Sequence, residues 1–251
     1  GSLKFDSGLN QYLTKTFGSA GNRKTNTVGV WIKRSSISDA FQRIFNCDTA
    51  GNALHEITLN FDASPDRDTL ISEYYIGSQS RVKTNAVLRD ISGWYHIVII
   101  YNSLDSTQAD RQIIYINGER QSLSNSVSVG QNNDGMFSSA NEHRIGRGRN
   151  YASGTAFNGS MSQFYFIDGQ ALGPEYFGFT DPLTNTWRPK KVDLSEITSG
   201  KVFVENTHTG GSVGSGVYNA SLTGTRTAGS YSGDTFTATN AGWVITFDLN
   251  E

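Results

Sequence analysis

One cysteine, four prolines and a charged fraction of 18% set the first limits on this 251-residue chain. Cys47 has no partner within it, so an internal disulfide framework is excluded, as is a Cys-x-x-Cys zinc or redox motif. A lone thiol suits assembly in a reducing cytosol, or in a virus particle built inside a bacterium. It suits a small secreted vertebrate module poorly. The 21 Lys and Arg against 23 Asp and Glu leave a formal net charge of -2. That argues against a nucleic-acid binder, which needs basic residues to neutralise phosphates. Long hydrophobic runs are missing. The longest, Ile97-Val98-Ile99-Ile100-Tyr101, has strand length and falls far short of the ~18–20 residues of a membrane span, so no membrane insertion is expected. Gly1-Ser2 opens without the basic and apolar regions of a signal peptide. Helical periodicity is also missing. The one turn expected is at Gly173 to Phe177, where Pro174 suits a first helical position.

What is present is β pattern. Glycine is abundant at 27 residues, above its usual ~7% share. Short alternating runs are separated by Gly, Asn, Asp and Ser. His55 to Phe61 puts Ile57, Leu59 and Phe61 on one face, and Thr27 to Lys33 carries Trp31 among Val28, Val30 and Ile32. Trp94 to Tyr101 is nearly continuous apolar, which predicts a central strand buried on both faces, with Trp31 and Trp94 in the core. Gln112 to Ile116 ends at Asn117-Gly118, a type I′ hairpin signal, and the polar stretch Asn102 to Asp110 joins it to the preceding strand. Short strands are also expected at Val127 to Val129, His143 to Arg147 and Met161 to Ile167. Many short strands at ~8–12-residue spacing predict a sandwich or jelly roll. After about Lys191 the composition shifts, and residues 207–242 are rich in Gly, Thr, Ser and Ala with spaced aromatics.

Three segments in order carry a resemblance. They are Leu3-Lys4-Phe5-Asp6 with Tyr12-Leu13 and Thr27-Val28-Gly29-Val30-Trp31; Gly93-Trp94-Tyr95-His96 with Ile114-Tyr115-Ile116-Asn117-Gly118; and His143-Arg144-Ile145-Gly146 with Phe157-Asn158-Gly159 through Ala171-Leu172. The set resembles the laminin-G-like branch of the concanavalin A-like lectin/glucanase superfamily. The resemblance implies an all-β concanavalin A-like jelly-roll β-sandwich over residues 1–180. A connecting segment, 181–194, then leads into a short β-rich extension or the start of a second small domain, 195–251. Phe166-Ile167-Asp168-Gly169-Gln170-Ala171-Leu172, Thr180-Asp181-Pro182 and Trp187-Arg188-Pro189-Lys190-Lys191 also look like a stretch in virion proteins of marine bacteriophages, tail fibres or appendages. Val192-Asp193-Leu194-Ser195-Glu196 departs from that pattern.

The same superfamily houses glycoside hydrolases, whose laminarinase-like branch carries Glu-x-Asp-x-x-Glu on one strand. None of the eight glutamates here has Asp two positions later: Glu56 is followed by Thr58, Glu73 by Tyr75 and Glu142 by Arg144. No catalytic residue is assigned, and the chain is read as non-enzymatic. His55-Glu56 begins like a zincin motif, but Leu59 stands where the second histidine is needed. His96 is read as a hydrogen-bonded sheet histidine, and Cys47 as a buried free thiol. Gly146-x-Gly148 lacks the third glycine of a dinucleotide loop.

Two kinds of site remain. Gln131-Asn132-Asn133-Asp134-Gly135 offers amide donors and acceptors, with Arg147, Arg149, Asn150 and Tyr151 following. Sugar recognition needs this mix: planar hydrogen-bonding groups for hydroxyls and an aromatic face for C–H groups. Asn132, Asn133, Asp134, Arg149 and Tyr151 are the candidate ligand-binding residues. Calcium needs six to eight oxygens. Asp48 with Asn52 is the candidate calcium pair, since laminin-G-like domains that bind calcium do so at a rim near such a loop. The cluster from Asp62 to Asp68 is a turn-rich alternative. Ca2+ is thus the one cofactor considered. The expected function is a non-catalytic, lectin-like module of a phage virion that recognises host cell-surface glycan. It would be assembled in host cytoplasm alongside other virion subunits, with homo-oligomerisation open. The alternatives are a purely structural virion protein and a glycan-active enzyme with an unrecognised site.

Overall fold

The computed structural model describes residues 1–37, 41–49, 54–59, 67–76, 78–148 and 155–192, and the backbone of six strands between 202 and 246. The strands are β1 (Leu3–Phe5), β2 (Leu13–Thr16), β3 (Thr25–Arg34), β4 (Gln42–Asp48), β5 (Leu54–Leu59), β6 (Thr69–Ile76) and β7 (Ser78–Val87). There follow β8 (Tyr95–Asn102), β9 (Gln112–Ile116), β10 (Glu119–Arg120), β11 (Leu123–Val127), β12 (Glu142–Ile145), β13 (Gly159–Asp168), β14 (Gly178–Asp181) and β15 (Thr186–Pro189). The last six are β16 (Val202–Phe203), β17 (Asn206–Val213), β18 (Gly216–Leu222), β19 (Ser230–Ser232), β20 (Thr235–Thr237) and β21 (Trp243–Thr246). Two 3-10 turns, Gln108–Asp110 and Pro174–Tyr176, are the helical elements among the described residues, and the second falls where Pro174 predicts it.

The first sheet runs β10-β9-β8-β3-β13-β21-β16, with β1 also paired to β13. The second runs β11-β7-β6-β5-β4-β12-β2. Hairpins β14–β15, β17–β18 and β19–β20 stand outside both sheets. Alternation builds the interior. Val28, Val30 and Ile32 of β3 and Ile97 and Ile99 of β8 face Ile57 and Leu59 of β5 and Leu70 of β6. Two bulges reset the period. In β13 the register shifts between Ser162 and Tyr165, around Gln163 at φ 46°. Met161 therefore faces the interior, and after the shift Phe164 and Phe166 do. In β4 a shift between Arg43 and Phe45 sends both Ile44 and Phe45 inward.

Asn117 and Gly118 both take positive φ, 51° and 83°, joining β9 to β10 by the two-residue turn that the sequence predicts. The long β8–β9 connection likewise forms, with Tyr101 opposite Gln112. A second apolar cluster covers the outer face of the first sheet, where Val98, Tyr165 and Ile167 meet Leu172, Phe177 and Val192.

Two tryptophans depart from expectation. Trp94 precedes β8, directly after the bend at Gly93, and is 38% exposed. Strand parity would set it with His96 and Val98, away from the inward Ile97 and Ile99, so an earlier start would not have buried it in the interior. Trp31 is buried, but on the outer face of the first sheet: strand parity opposes it to Val30 and Ile32, and it stacks on His96. Cys47 is a buried free thiol, its Sγ 3.5 Å from Ser139 Oγ. Phe61 lies outside the described residues.

Candidate functional site

Strand register places one end of the sandwich. Thr25 pairs with Asn102 in the first sheet, and Asp48 with Leu54, then Tyr75, in the second. The His55 and Tyr101 rings meet across the interior at 5.2 Å, so these strand ends form one rim. The amide loop predicted from sequence sits here. Asn132 N–H donates to Ser103 O (2.8 Å), and Gly135 N–H to Arg23 O (2.6 Å). Arg23 Nε donates to Gly135 O (2.7 Å), and the Tyr101 hydroxyl to Asn133 O (3.0 Å). Asn132 takes φ 63°, which asparagine tolerates better than most residues. The backbone is thus fixed by four ties, while the Asn132 and Asn133 carboxamides have no protein hydrogen-bond partner.

Asp134 is exposed and lies 3.6 Å from Arg23 Nη1. The Tyr74 hydroxyl is close enough to feel both charges. Burial pushes its pKa up, Arg23 pulls it down and Asp134 pushes it up. Burial raises Tyr101 as well. Both phenols therefore stay protonated, and the Tyr101 proton is already given to Asn133 O.

The other sequence candidates are placed as follows. Asp48 ends β4 at this same rim and is buried. Asn52, Arg149, Asn150 and Tyr151 lie outside the described residues. Arg147 does not join the amide loop: its guanidinium sits 5.4 Å over Tyr12, just before edge strand β2. Of the acidic cluster from Asp62 to Asp68, residues 62–66 are outside the described residues. Asp68 is buried, at φ 68°, and accepts from Arg34 Nη1 (2.9 Å) and Arg89 Nε (3.1 Å). Among the described residues no three His, Cys, Asp or Glu side chains converge as metal ligands.

The outer face of the second sheet carries a polar row that sequence reasoning missed. Register aligns Arg81 with Glu73, Glu73 with Glu56, Glu56 with Asn46, Asn46 with Arg144, and Arg144 with Thr14. Two carboxylates therefore face each other across β5 and β6. Each is held by a guanidinium: Arg43 Nε donates to Glu56 Oε2 (3.0 Å), and Arg81 Nη2 lies 2.8 Å from Glu73 Oε2. Burial pushes the Glu56 carboxyl up, against the pull of Arg43 and Asn46. Retaining glycoside hydrolysis needs a pair ~5–5.5 Å apart with access to the sugar. Glu56 and Arg43 are only 3% and 2% exposed, so this pair is locked in internal ion pairs. Period two along each strand shows which face these residues take. Only the β5–β6 pairing shows that they meet.

The buried histidines are structural. His96 accepts from Trp187 Nε1 at Nδ1 (2.9 Å) and lies between the Trp31 and Trp187 rings, as its reading as a sheet histidine predicts. Burial depresses it to about 3. His55 falls to about 3 by burial and by the neighbouring His143. It stacks on Phe137 at 3.8 Å, with neither ring nitrogen hydrogen-bonded.

Residues 6–175 match the Laminin_G_3 family model of the concanavalin A-like lectin/glucanases superfamily, and the chain belongs to that family. No functionally curated protein matches the sequence. Among solved structures, the mouse laminin alpha1 chain domains LG4-5 share 13% identity at TM-score 0.48, over 77% of this chain and 45% of that one. Domain 4 of AbnA, a GH43 extracellular arabinanase from Geobacillus stearothermophilus in complex with arabinotriose, shares 16% at 0.44, over 61% and 65%. The CBM40 of Ruminococcus gnavus IT-sialidase, bound to alpha2,3 sialyllactose, shares 15% at 0.40, over 59% and 89%. These likenesses concern the fold alone.

Proposed function

We propose that this laminin-G-like sandwich is a non-catalytic glycan-binding module whose sugar site is the rim around Asn132, Asn133 and Asp134. One observation carries the reading: a loop fixed by four hydrogen bonds presents two carboxamides that have no protein partner. A fixed loop loses little freedom on binding, so its hydrogen bonds appear as affinity. Asn132 and Asn133 would each offer a donor and an acceptor to adjacent hydroxyls, and Asp134 would accept from a third. Arg149 and Tyr151 stay part of the proposed ligand set, and Asp48 with Asn52 the proposed calcium pair.

We place the module on the surface of a phage particle, where it meets host-surface glycan beside other virion subunits or copies of itself. The virion-like stretch from Phe166 to Lys191 and the lone Cys47 support that placement. Many copies on one particle turn weak single sites into firm attachment.

The test is an array of bacterial surface polysaccharides, probed with the multimerised chain in calcium and again in EDTA. A discrete hit that weakens roughly tenfold in the variant carrying Asn132→Ala and Asn133→Ala supports the reading. Loss in EDTA, restored by added calcium, supports the calcium proposal. A blank array with folded, multimerised protein overturns glycan binding and leaves the structural-subunit alternative.

A further inference from the structure

A groove of about 220 Å³ opens where the edges of the two sheets part, between the β9–β10 hairpin and strands β7 and β11. It adjoins the rim but uses none of the amide-loop side chains. Its floor is Gln112, 4% exposed and locked: Nε2 donates to Ser72 O (3.1 Å) and Ser72 Oγ (2.6 Å), and Oε1 accepts from Ser80 Oγ (3.2 Å). Leu123 and Val129 form apolar walls. Gln108, Gln121 and Arg120 stand at the mouth.

The mouth has capacity to spare. The Gln108 carboxamide has no protein hydrogen-bond partner, and Gln121 spends Nε2 on Glu119 O (2.9 Å) but leaves Oε1 open. Arg120 is the one charged residue lining the groove, and its Nη2 pairs with Asp110. The lining is therefore electrically balanced, with amide donors and acceptors over an apolar wall. The volume equals about seven waters at ~30 Å³ each. It lies below the ~300–1,000 Å³ of pockets for drug-sized ligands. An acidic ligand would find its one cation already neutralised, and a purely apolar one would strip water from the Gln108 and Gln121 carboxamides without replacing it.

We propose that this groove is a second ligand site, separate from the rim, which takes a single neutral, hydroxyl-rich ring of pyranose size. Hydroxyls bond Gln108 and Gln121, and the C–H face of the ring lies on Leu123 and Val129.

The test titrates the ¹⁵N-labelled full chain with methyl α-D-glucopyranoside, methyl α-D-galactopyranoside, N-acetyl-D-glucosamine and sodium glucuronate. The side-chain amide resonances of Gln108 and Gln121 are followed. At least one neutral sugar is expected to shift both. Read from the backbone amides of Leu123 and Val129, which line the same groove, the variant carrying Gln108→Ala and Gln121→Ala should weaken that sugar roughly tenfold, two hydrogen bonds being lost. Ala109→Trp, which fills the mouth, should abolish the shifts. Asn132→Ala with Asn133→Ala should leave them intact, so that failure at the rim and failure here are told apart. The proposal is overturned if no neutral sugar moves these resonances, if glucuronate alone does, or if Ala109→Trp leaves the response unchanged.

Discussion

Glu56 and Glu73 stand opposite each other in the β5–β6 register, each gripped by its own arginine. In water two carboxylates so placed would repel. Here Arg43 and Arg81 flank them, and the row becomes a charge ladder across the outer face of the second sheet.

The ladder separates stability from binding. Glu56→Gln removes the buried carboxylate charge that Arg43 Nε bonds and should cost about 3–5 kcal/mol. Glu73→Gln, whose partner Arg81 is one-fifth exposed, should cost about 1 kcal/mol. Urea denaturation measures both. Neither change should alter sugar binding by folded protein at the rim, and a folded Glu73→Gln variant that had lost binding would move the site to this face.

Acid should weaken the fold through its histidines. His55 and His96 are depressed to about 3 and His143 to about 4, all mainly by burial. The unfolded chain therefore binds more protons than the folded one below the ordinary histidine value of 6.5. Their contribution is complete above pH 6.5 and is lost as pH falls toward 4 and then 3. At pH 5 each should cost on the order of 2 kcal/mol. Glu56, with its raised carboxyl, works in the opposite direction, as one group against three. The urea midpoint followed from pH 7.5 to pH 4.5 should fall steadily, and a flat profile would contradict the burial of these rings.

His55→Phe should stabilise the protein. The ring is fully buried against Phe137, with both nitrogens unpaired. A phenyl group, flat like the imidazole and one ring atom larger, removes two unmet polar atoms, for a gain of about 1–2 kcal/mol at neutral pH. The variant should also show a shallower acid slope than the parent in the same titration.

The β14–β15 hairpin is anchored through one side chain. A Cβ placed on either Gly118 or Gly178 would come within 2.5 Å of the Trp187 ring, so both glycines make room for the indole that bonds His96. Gly178→Ala should cost about 1–3 kcal/mol by overpacking. Trp187→Phe, which keeps most of the packing but drops the N–H bond, should cost about 1 kcal/mol. Thermal unfolding of the two variants beside the parent checks the order.

Much of the fold was legible because local chemistry specified it. Ile57 and Leu59 alternate inward as period two requires, Asn117-Gly118 makes its turn, and Pro174 opens its 3-10 turn. The amide loop was legible as a candidate site because unpaired asparagines beside glycine announce a polar turn. Trp94 was misread because a nearly continuous apolar run does not say which of the strand's two faces meets the interior.

The sequence by itself determined the all-β class, the apolar faces and the low, balanced charge, because each depends on residue type and on spacing within a few positions. Tertiary structure alone decided that Tyr101 ties down Asn133, that Trp187 reaches His96 from 91 positions away, and that Glu56 meets Glu73. It also decided the parity switches at Gln163 and at the β4 bulge. Those relations depend on which strands pair and in what register. Register is set by the summed burial of two whole sheets rather than by any short stretch of chain.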